Sequence, residues 1–170
     1  PQAIYKDKSM LNLSSNDYLG LLADEQIQRD FYSKLENQQF KDFYRCGISS
    51  SRLLTGNHAV YRLLEDEISF QYNKAGKADK KALVFNSGYH ANLGILPALT
   101  SKRDLIVSDK LNHASLMDTL KLADAAYLRY RHLDYAHLEE ILKKERGKYE
   151  KVFIVTESVF SMDGDVADLK

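Results

Sequence analysis

The chain has 170 residues, and its 24 lysines and arginines balance its 24 aspartates and glutamates, so the formal net charge at pH 7 is zero. A balanced charge gives no electrostatic attraction to nucleic acid or to an anionic membrane, and no apolar run has the length of a membrane span or of a signal peptide. The single cysteine, Cys46, cannot form an internal disulfide, so we expect a cytoplasmic protein that binds neither nucleic acid nor membrane.

The length fits one domain or a large part of one, and we expect a part. The chain begins at Pro1 and stops at Lys170, just after a predicted strand and loop, and no residue pattern at either end closes a domain. We predict an N-terminal segment with a helix over residues 1–45 and the first portion of a larger domain over residues 46–170.

Turn formers and helical spacing divide the first 80 residues into four predicted features. In chain order, these are a short strand at 10–13, a helix over 24–43, a Gly/Ser-rich loop over 47–56, and a second helix capped by Asn57 and ended by Gly76.

From residue 82 onward, short apolar runs alternate with stretches of helical spacing. The predicted strands lie at 82–85, 105–107, 126–128 and 152–155, and the predicted helices at 89–99, 113–123 and 135–146, the last capped by Asp134. Strand–helix–strand repetition of this kind is typical of an α/β fold, with a mainly parallel sheet and helices on both faces.

Polar residues follow three of these strands, at 86–90, 108–113 and 156–165. Because ligands of parallel sheets bind beyond the carboxyl ends of the strands, we expect the three segments to meet at one edge. Ser87, Gly88 and Tyr89 come between a strand and a helix start, where main-chain amides and the positive helix end form an anion site. An ordinary turn is the alternative interpretation.

Other polar residues near this edge are candidates too, and each has a structural alternative. They are His113 at a helix start, where the helix dipole favours a neutral ring, Glu157 at a strand end, Ser161 and Asp163 before Gly164, Arg52 in the Gly/Ser loop, and His132 after the third strand. No Cys/His spacing of a zinc site occurs, so we predict no metal. The glycine-rich nucleotide motifs and the hydrolase nucleophile motif do not occur either.

Five stretches, in this order, resemble motifs of the α-oxoamine synthases, a branch of the fold-type I pyridoxal-phosphate (PLP) enzymes. They are LSSNDYLGL at 13–21, SRLLTG at 51–56, NSGYHAN at 86–92, LNHASL at 111–116, and TESVFSMDGD at 156–165. The resemblance spans nearly the whole chain, and it implies part of the large domain of a fold-type I PLP-dependent transferase.

The resemblance also implies a role for individual residues. Ser87, Gly88 and Tyr89 would hold the cofactor phosphate, with main-chain contacts from the last two. His113 would stack on the pyridine ring as a catalytic and substrate-contacting residue, Ser161 and Glu157 would lie near the ring hydroxyl, and Asn16 would contact the substrate carboxylate. In such enzymes the pyridine ring is the electron sink, and the protein supplies orientation and electrostatics.

Within the family, three features favour the member that joins L-alanine to a pimeloyl thioester in biotin synthesis: Glu157, Asp165 and the segment 130–132. Glycine C-acetyltransferase, with Asp at position 157, and 5-aminolevulinate synthase, with His at position 160, stay open as alternatives. Leu133 and Ser158 depart from the favoured member, which usually has Asn and Gly there.

No lysine in the chain matches the family's Schiff-base lysine motif, and Lys110 comes near the predicted edge without matching it. We therefore expect the 170 residues alone to be inactive, and the resemblance implies a homodimer with amino acid and acyl thioester substrates. A non-catalytic α/β module that binds a phosphorylated ligand through Ser87, Gly88 and Tyr89 is the alternative from another class. A nucleotide-binding oxidoreductase is disfavoured because the glycine fingerprint is absent.

Overall fold

The computed structural model describes residues 2–35, 47–74, 76 and 79–169. The chain forms two compact units, Pro1–Ala82 and Leu83–Lys170, called here the first and the second unit. The predicted division between residues 45 and 46 lies outside the described residues. No described helix is both long enough and apolar enough to cross a lipid bilayer.

The first unit opens with a hairpin that the sequence did not indicate. Strands β1 (Gln2–Tyr5) and β2 (Lys8–Leu11) are antiparallel, and the two residues between them, Lys6 and Asp7, have φ angles of 47° and 61°. Positive φ at both central residues is the geometry of a two-residue hairpin turn, for which Asn-Gly is the usual signal. The predicted strand at 10–13 therefore begins earlier and pairs locally.

In the described part of the first unit, a short 3-10 helix (Leu21–Ala23) and two α-helices follow, α1 (Glu25–Leu35) and α2 (Ala59–Lys74). The rest of the helix predicted over 24–43 lies outside the described residues. The prediction of Asn57 as the cap of α2 was wrong. Its side-chain oxygen accepts a hydrogen bond from Arg52 Nε at 3.1 Å, while the ring of His58 accepts from the Val60 amide at 3.3 Å.

The described residues of the second unit form three strands, three α-helices and a short 3-10 helix at Arg146–Lys148. The strands and α-helices are, in chain order, α3 (Gly88–Leu99), β3 (Leu105–Asp109), α4 (Ala114–Leu122), β4 (Ala126–Tyr130), α5 (Tyr135–Glu145) and β5 (Val152–Val155). The strands are parallel in the order β4-β3-β5, and Leu105 at the start of β3 lies opposite Ala126 and Val152. Asp134 caps α5 as predicted, accepting from the His137 amide at 2.9 Å.

Both faces of this sheet are covered, because successive side chains of a buried strand point to opposite sides. On one face, Ile106 packs with residues of α3 and α4, among them Leu96 and Leu120. On the other face, Leu105 and Val107 pack with residues of α5. All five residues of β3 are buried. The predicted α/β class, with helices on both faces of a parallel sheet, is confirmed.

The strand predicted at 82–85 does not form. Leu83 and Phe85 leave 66% and 38% of their surface exposed. A strand is defined by its pairing with a neighbour, and both sides of the central strand β3 are already occupied by β4 and β5. Residues 82–85 have the sequence pattern of a buried strand, but they cannot pair with β3 because β4 and β5 already do.

Candidate active site

The segments that follow β3 and β5 meet at the carboxyl edge of the sheet. The main-chain amide of His113 donates a hydrogen bond to the carboxylate of Glu157, which lies two residues beyond β5. Asn112 reinforces this meeting, because its side-chain amide donates to Ser108 Oγ at 2.9 Å and to the Val155 carbonyl at 2.8 Å. The loop after β3 is thus held against the end of β5 by two side chains.

Ser87, Gly88 and Tyr89 form the start of α3. Ser87 is the N-cap and accepts from the His90 amide at 3.1 Å, so its side chain satisfies one amide of the first turn. Gly88 begins the helix, and a Cβ built on it would have no atom within 4 Å. The first amides of a helix have no preceding helical carbonyl to bind, so this open turn can receive an anion.

The side chain of Tyr89 links α3 to α4. Its hydroxyl donates to the carboxylate of Asp118, and this hydrogen bond is the main reason why the pKa of Tyr89 is raised and that of Asp118 is lowered. A second link runs through Asn92, whose side-chain amide donates to Ser115 Oγ at 2.8 Å. The turn at Gly88 is therefore fixed to the helix that begins after His113.

His113 is the N-cap of α4, and its ring is held by the next turn. The ring atom Nδ1 accepts from the Ser115 amide at 3.2 Å and lies 2.7 Å from Ser115 Oγ. A ring nitrogen that accepts from an amide carries no proton, so the neutral imidazole has its proton on Nε2. Nε2 of His113 is therefore a hydrogen-bond donor, and the contacts of Nδ1 with Ser115 fix its direction.

Ser161 lies in an exposed turn between Phe160 and Asp165. The turn is closed by two main-chain hydrogen bonds of 2.8 Å, from the Phe160 amide to the Asp165 carbonyl and from the Gly164 amide to the Phe160 carbonyl. Gly164 has a φ of 77°, which favours glycine. Within the described part of the chain, no hydrogen bond joins Ser161 to Glu157 or His113, so the structure brings the latter two together without the former.

A buried network lies beside this turn, and the sequence motifs do not indicate it. Asp109, at the end of β3, is fully buried and lies 2.9 Å from Nδ1 of His132, whose Nε2 lies 3.2 Å from Asp165. The sequence signal for it is a carboxylate at the end of a strand that begins with three apolar residues. No group of three or more metal-binding side chains in the described ranges is arranged to hold an ion.

The two candidates in the first unit lie in loops. Asn16 is exposed in the loop after β2, next to Asp17, whose carboxylate accepts from the amides of Leu21 and Leu22. Arg52 donates to both carboxylate oxygens of Glu65, at 2.8 and 3.1 Å. This ion pair agrees with the alternative interpretation of Arg52, in which the arginine pairs with a carboxylate of the protein and does not bind a ligand.

The second unit supplies groups of the kinds that PLP requires. The open turn at Gly88 offers amides to a phosphate, and the imidazole of His113 is a flat ring beside the carboxylate of Glu157. Ser161 adds a hydroxyl in the exposed turn after β5, without a hydrogen bond to either residue. These are the donors and acceptors that a phosphorylated, hydroxylated aromatic ring needs. The residues therefore fit the cofactor in kind.

Comparison with known proteins defines the class of protein. A family model described as aminotransferase class I and II matches residues 8–170. The Sphingomonas wittichii serine palmitoyltransferase superposes with a TM-score of 0.82 at 30% identity, covering 98% of this chain and 39% of that one. The chain belongs to the aminotransferase class I and II family, and the fold-type I assignment is confirmed.

Within that family the chain is similar to the 8-amino-7-oxononanoate synthases, which confirms the resemblance to the α-oxoamine synthases. The relative of that name from Chlorobaculum parvum is 54% identical over 163 residues, 96% of this chain. The Francisella tularensis 8-amino-7-oxononanoate synthase superposes with a TM-score of 0.62 at 29% identity, covering 91% of this chain and 38% of that one. The chain spans about two fifths of the length of the curated relatives it matches.

Proposed function

We propose that this chain is the cofactor-phosphate-binding part of a PLP-dependent enzyme that condenses L-alanine with a pimeloyl thioester to give 8-amino-7-oxononanoate. The observation that carries the proposal is the 54% identity to a relative of that name, which spans the site residues of the second unit. The hydrogen bond from the His113 amide to Glu157 supports it, because His113 caps α4, and Tyr89 and Asn92 bind α4 to α3.

The main-chain amides of Gly88 and Tyr89 bind the cofactor phosphate at the start of α3, where the helix dipole adds to the attraction. His113 would stack on the pyridine ring, and its Nε2, the ring nitrogen not bound to Ser115, would be the atom that donates or receives a proton. Bound PLP supplies the electron sink for the carbanion of the amino acid. Glu157 holds the backbone of His113, and we assign the ring hydroxyl to Ser161 and the substrate carboxylate to Asn16.

Substitution of Gly88 by alanine tests the phosphate site without disturbing the fold. Because a helical Cβ tilts toward the helix N-terminus, the new methyl group would enter the space of the phosphate. We expect the dissociation constant for PLP to rise about 10- to 100-fold, the loss of one hydrogen bond to a charged group, as measured by absorbance titration of the complete gene product.

The matched control is Gly94→Ala in the middle of the same helix. A Cβ there meets only the ring of Phe85, at 3.5 Å, which is an ordinary contact. Both variants should keep the unfolding midpoint of the wild type or raise it slightly, because alanine favours helix. Equal PLP affinity of Gly88→Ala and Gly94→Ala would contradict the assignment of the phosphate site.

A substrate panel separates the proposed reaction from its alternatives. We expect the complete gene product to release CoA with L-alanine and pimeloyl-CoA faster than with glycine and acetyl-CoA, or with L-serine and palmitoyl-CoA. Preference for glycine would favour glycine C-acetyltransferase or 5-aminolevulinate synthase. Binding of PLP without turnover of any pair would favour the non-catalytic phosphate-binding module.

The assembly and location of the enzyme belong to the same proposal. We assign it to the cytoplasm, because its single cysteine forms no internal disulfide. The resemblance implies a homodimer with an amino acid and an acyl thioester as substrates. Sedimentation of the complete gene product at twice the protomer mass is the expected result. A monomer that retained full turnover would contradict the proposal that activity requires a dimer.

A further inference from the structure

One imidazole in the second unit connects two carboxylates from different elements. Nδ1 of His132 lies 2.9 Å from Asp109 and Nε2 lies 3.2 Å from Asp165. The two carboxylates differ in surroundings, since the Asp109 side chain is fully buried and that of Asp165 is 49% exposed. The bridge therefore runs from the core of the sheet to its surface.

The buried end of the bridge is anchored by the main chain. Besides the imidazole, Asp109 accepts from the amide of Leu111 at 2.8 Å and from that of Leu133 at 3.0 Å. Leu133 has a φ of 50°, a conformation that costs a leucine free energy. The surrounding hydrogen bonds hold it there, so the loop after β4 is built around this carboxylate.

The exposed end of the bridge belongs to the turn that carries Ser161. The Phe160 amide donates to the Asp165 carbonyl, and the buried Phe160 ring packs edge-to-face on His132 with centroids 4.5 Å apart. The carbonyl of Asp165 therefore closes the turn, while its carboxylate contacts His132. The imidazole is the only side chain in the described part of the second unit that hydrogen-bonds the Asp165 carboxylate.

We propose that His132 is a positioning residue that ties the Ser161 turn to Asp109 through Asp165, and that the Asp165 contact holds only while the imidazole is protonated on both nitrogens. A neutral imidazole has one N–H and can donate to only one carboxylate. Asp109 retains that proton, because an unpaired buried carboxylate costs more than an exposed one that water can solvate. The importance for the cofactor rests on the proposed function of Ser161.

The charges around the ring favour its protonated form. Asp109 faces it from β3 and Asp165 from the turn, while Arg131 on its own segment is paired with Asp134 at 2.7 Å. The hydrogen bond to Asp109, and then that to Asp165, raise the pKa of His132 above its ordinary 6.5, against the opposing effect of burial. The neighbouring Tyr130 interacts with Thr156 and Asp109, and its own pKa is raised mainly by burial.

The sign of the pH dependence follows from the raised pKa. The Asp165 contact is fully present below the ordinary value of 6.5 and is lost as the pH rises through the higher folded value. The test is amide hydrogen exchange of the complete gene product without added cofactor, expressed as protection factors for residues 160–165. Wild-type protection should fall about two- to fivefold as the imidazole loses its proton, the size expected for a half-exposed ion pair.

Three variants separate the proposed contact from other causes. Asp165→Ala should show the low protection at every pH. Asp165→Asn should lose the pH dependence, because an amide can accept from the imidazolium or donate to the neutral ring. Asp163→Asn removes the same charge from the same turn without touching His132 and should match the wild type. Equal protection in Asp165→Ala and Asp163→Asn, or an unchanged pH step in Asp165→Asn, would overturn the proposal.

The effect of the His132–Asp165 contact on PLP binding is measured separately, as the affinity for PLP. At a pH below the His132 transition, Asp165→Ala should bind PLP about two- to fivefold more weakly than Asp163→Asn, in proportion to the lost protection of the turn. Equal affinities would overturn the positioning role. A wild-type protein that binds no PLP would overturn the proposed function instead, and the exchange pattern of the variants would still report on the contact.

Discussion

Asp109 shows how one buried carboxylate organises the edge of the sheet. Burial alone raises its pKa, but hydrogen bonds from the amides of Leu111 and Leu133 and from His132 outweigh burial, so the pKa lies below its ordinary 3.8. The ionised form is therefore the one that the fold stabilises. Its contribution to stability is present above pH 3.8 and is lost as the pH falls through the lower folded value.

Substitution of Asp109 by asparagine should destabilise the fold, although the two side chains have the same shape. The amide keeps one acceptor oxygen where three donors converge, and its NH₂ group faces a main-chain N–H. We expect the free energy of unfolding to fall by about 2–4 kcal/mol near pH 6, measured by urea denaturation of the complete gene product.

Glu139→Gln is the matched control for that substitution. Glu139 also loses a charge, but it lies on the exposed face of α5, in a 2.7 Å surface pair with Lys143. Its loss should change stability by less than about 1 kcal/mol. Similar unfolding midpoints for the two variants would show that Asp109 does not organise the edge.

At the scale of elements, α4 connects the core to the site. His113 caps its first turn, Ser115 and Thr119 on its buried side bind Asn92 of α3, and Leu120 enters the core with Ile106. Thr119 Oγ1 donates to the Asn92 carbonyl at 2.8 Å. The direction of the His113 ring therefore depends on how well the helix packs.

Two leucines in the last turn of α4 provide a paired test of that packing. Leu120 is 2% exposed and Leu122 is 60% exposed. Leu120→Ala should lower the free energy of unfolding by about 2–4 kcal/mol, because it leaves a cavity, whereas Leu122→Ala should lower it by less than about 1 kcal/mol. Both changes alter helix propensity equally, so equal unfolding midpoints in a thermal or urea titration would contradict the assigned core.

The elements that could be predicted from sequence are those whose signal is local. Apolar runs and helical spacing located β3, β4, β5 and α5, because a buried element needs a continuous apolar face. The run at 82–85 carries the same signal and forms no strand, since pairing depends on neighbours that its own residues do not specify. The hairpin at residues 2–11 was not predicted because Lys6 and Asp7 are unusual residues for its turn.

For the candidate site, the sequence predicted which residues take part but not the contacts between them. Motif order indicated Gly88, His113, Glu157 and Ser161, but it did not indicate that Glu157 binds the amide of His113. The bridge through His132 joins residues 23 and 33 positions away, and parallel pairing of β3 with β4 brings the loops that follow these strands together. Contacts between residues so far apart in sequence form only when the chain folds, so the sequence pattern did not predict them.

At the scale of the whole molecule, the chain corresponds to about two fifths of its relatives' length. The phosphate turn and the ring-stacking histidine proposed above both lie within it. Among its lysines, Lys110 comes directly after β3, with its amide bound to the Tyr130 carbonyl at 3.1 Å. Its side chain is exposed and matches no motif of the family. The lysine that binds the cofactor covalently is therefore expected outside residues 1–170.

Borohydride reduction of the PLP-loaded complete gene product, followed by peptide mass spectrometry, locates that lysine. We expect the pyridoxyl label on a peptide beyond residue 170 and unchanged labelling in Lys110→Ala, because the Lys110 backbone is fixed by the strand pair and its side chain points to solvent. A polypeptide of residues 1–170 should then catalyse no condensation, even if it binds PLP at Gly88. A label on Lys110 would instead mean that the carboxyl edge of this sheet holds both ends of the cofactor.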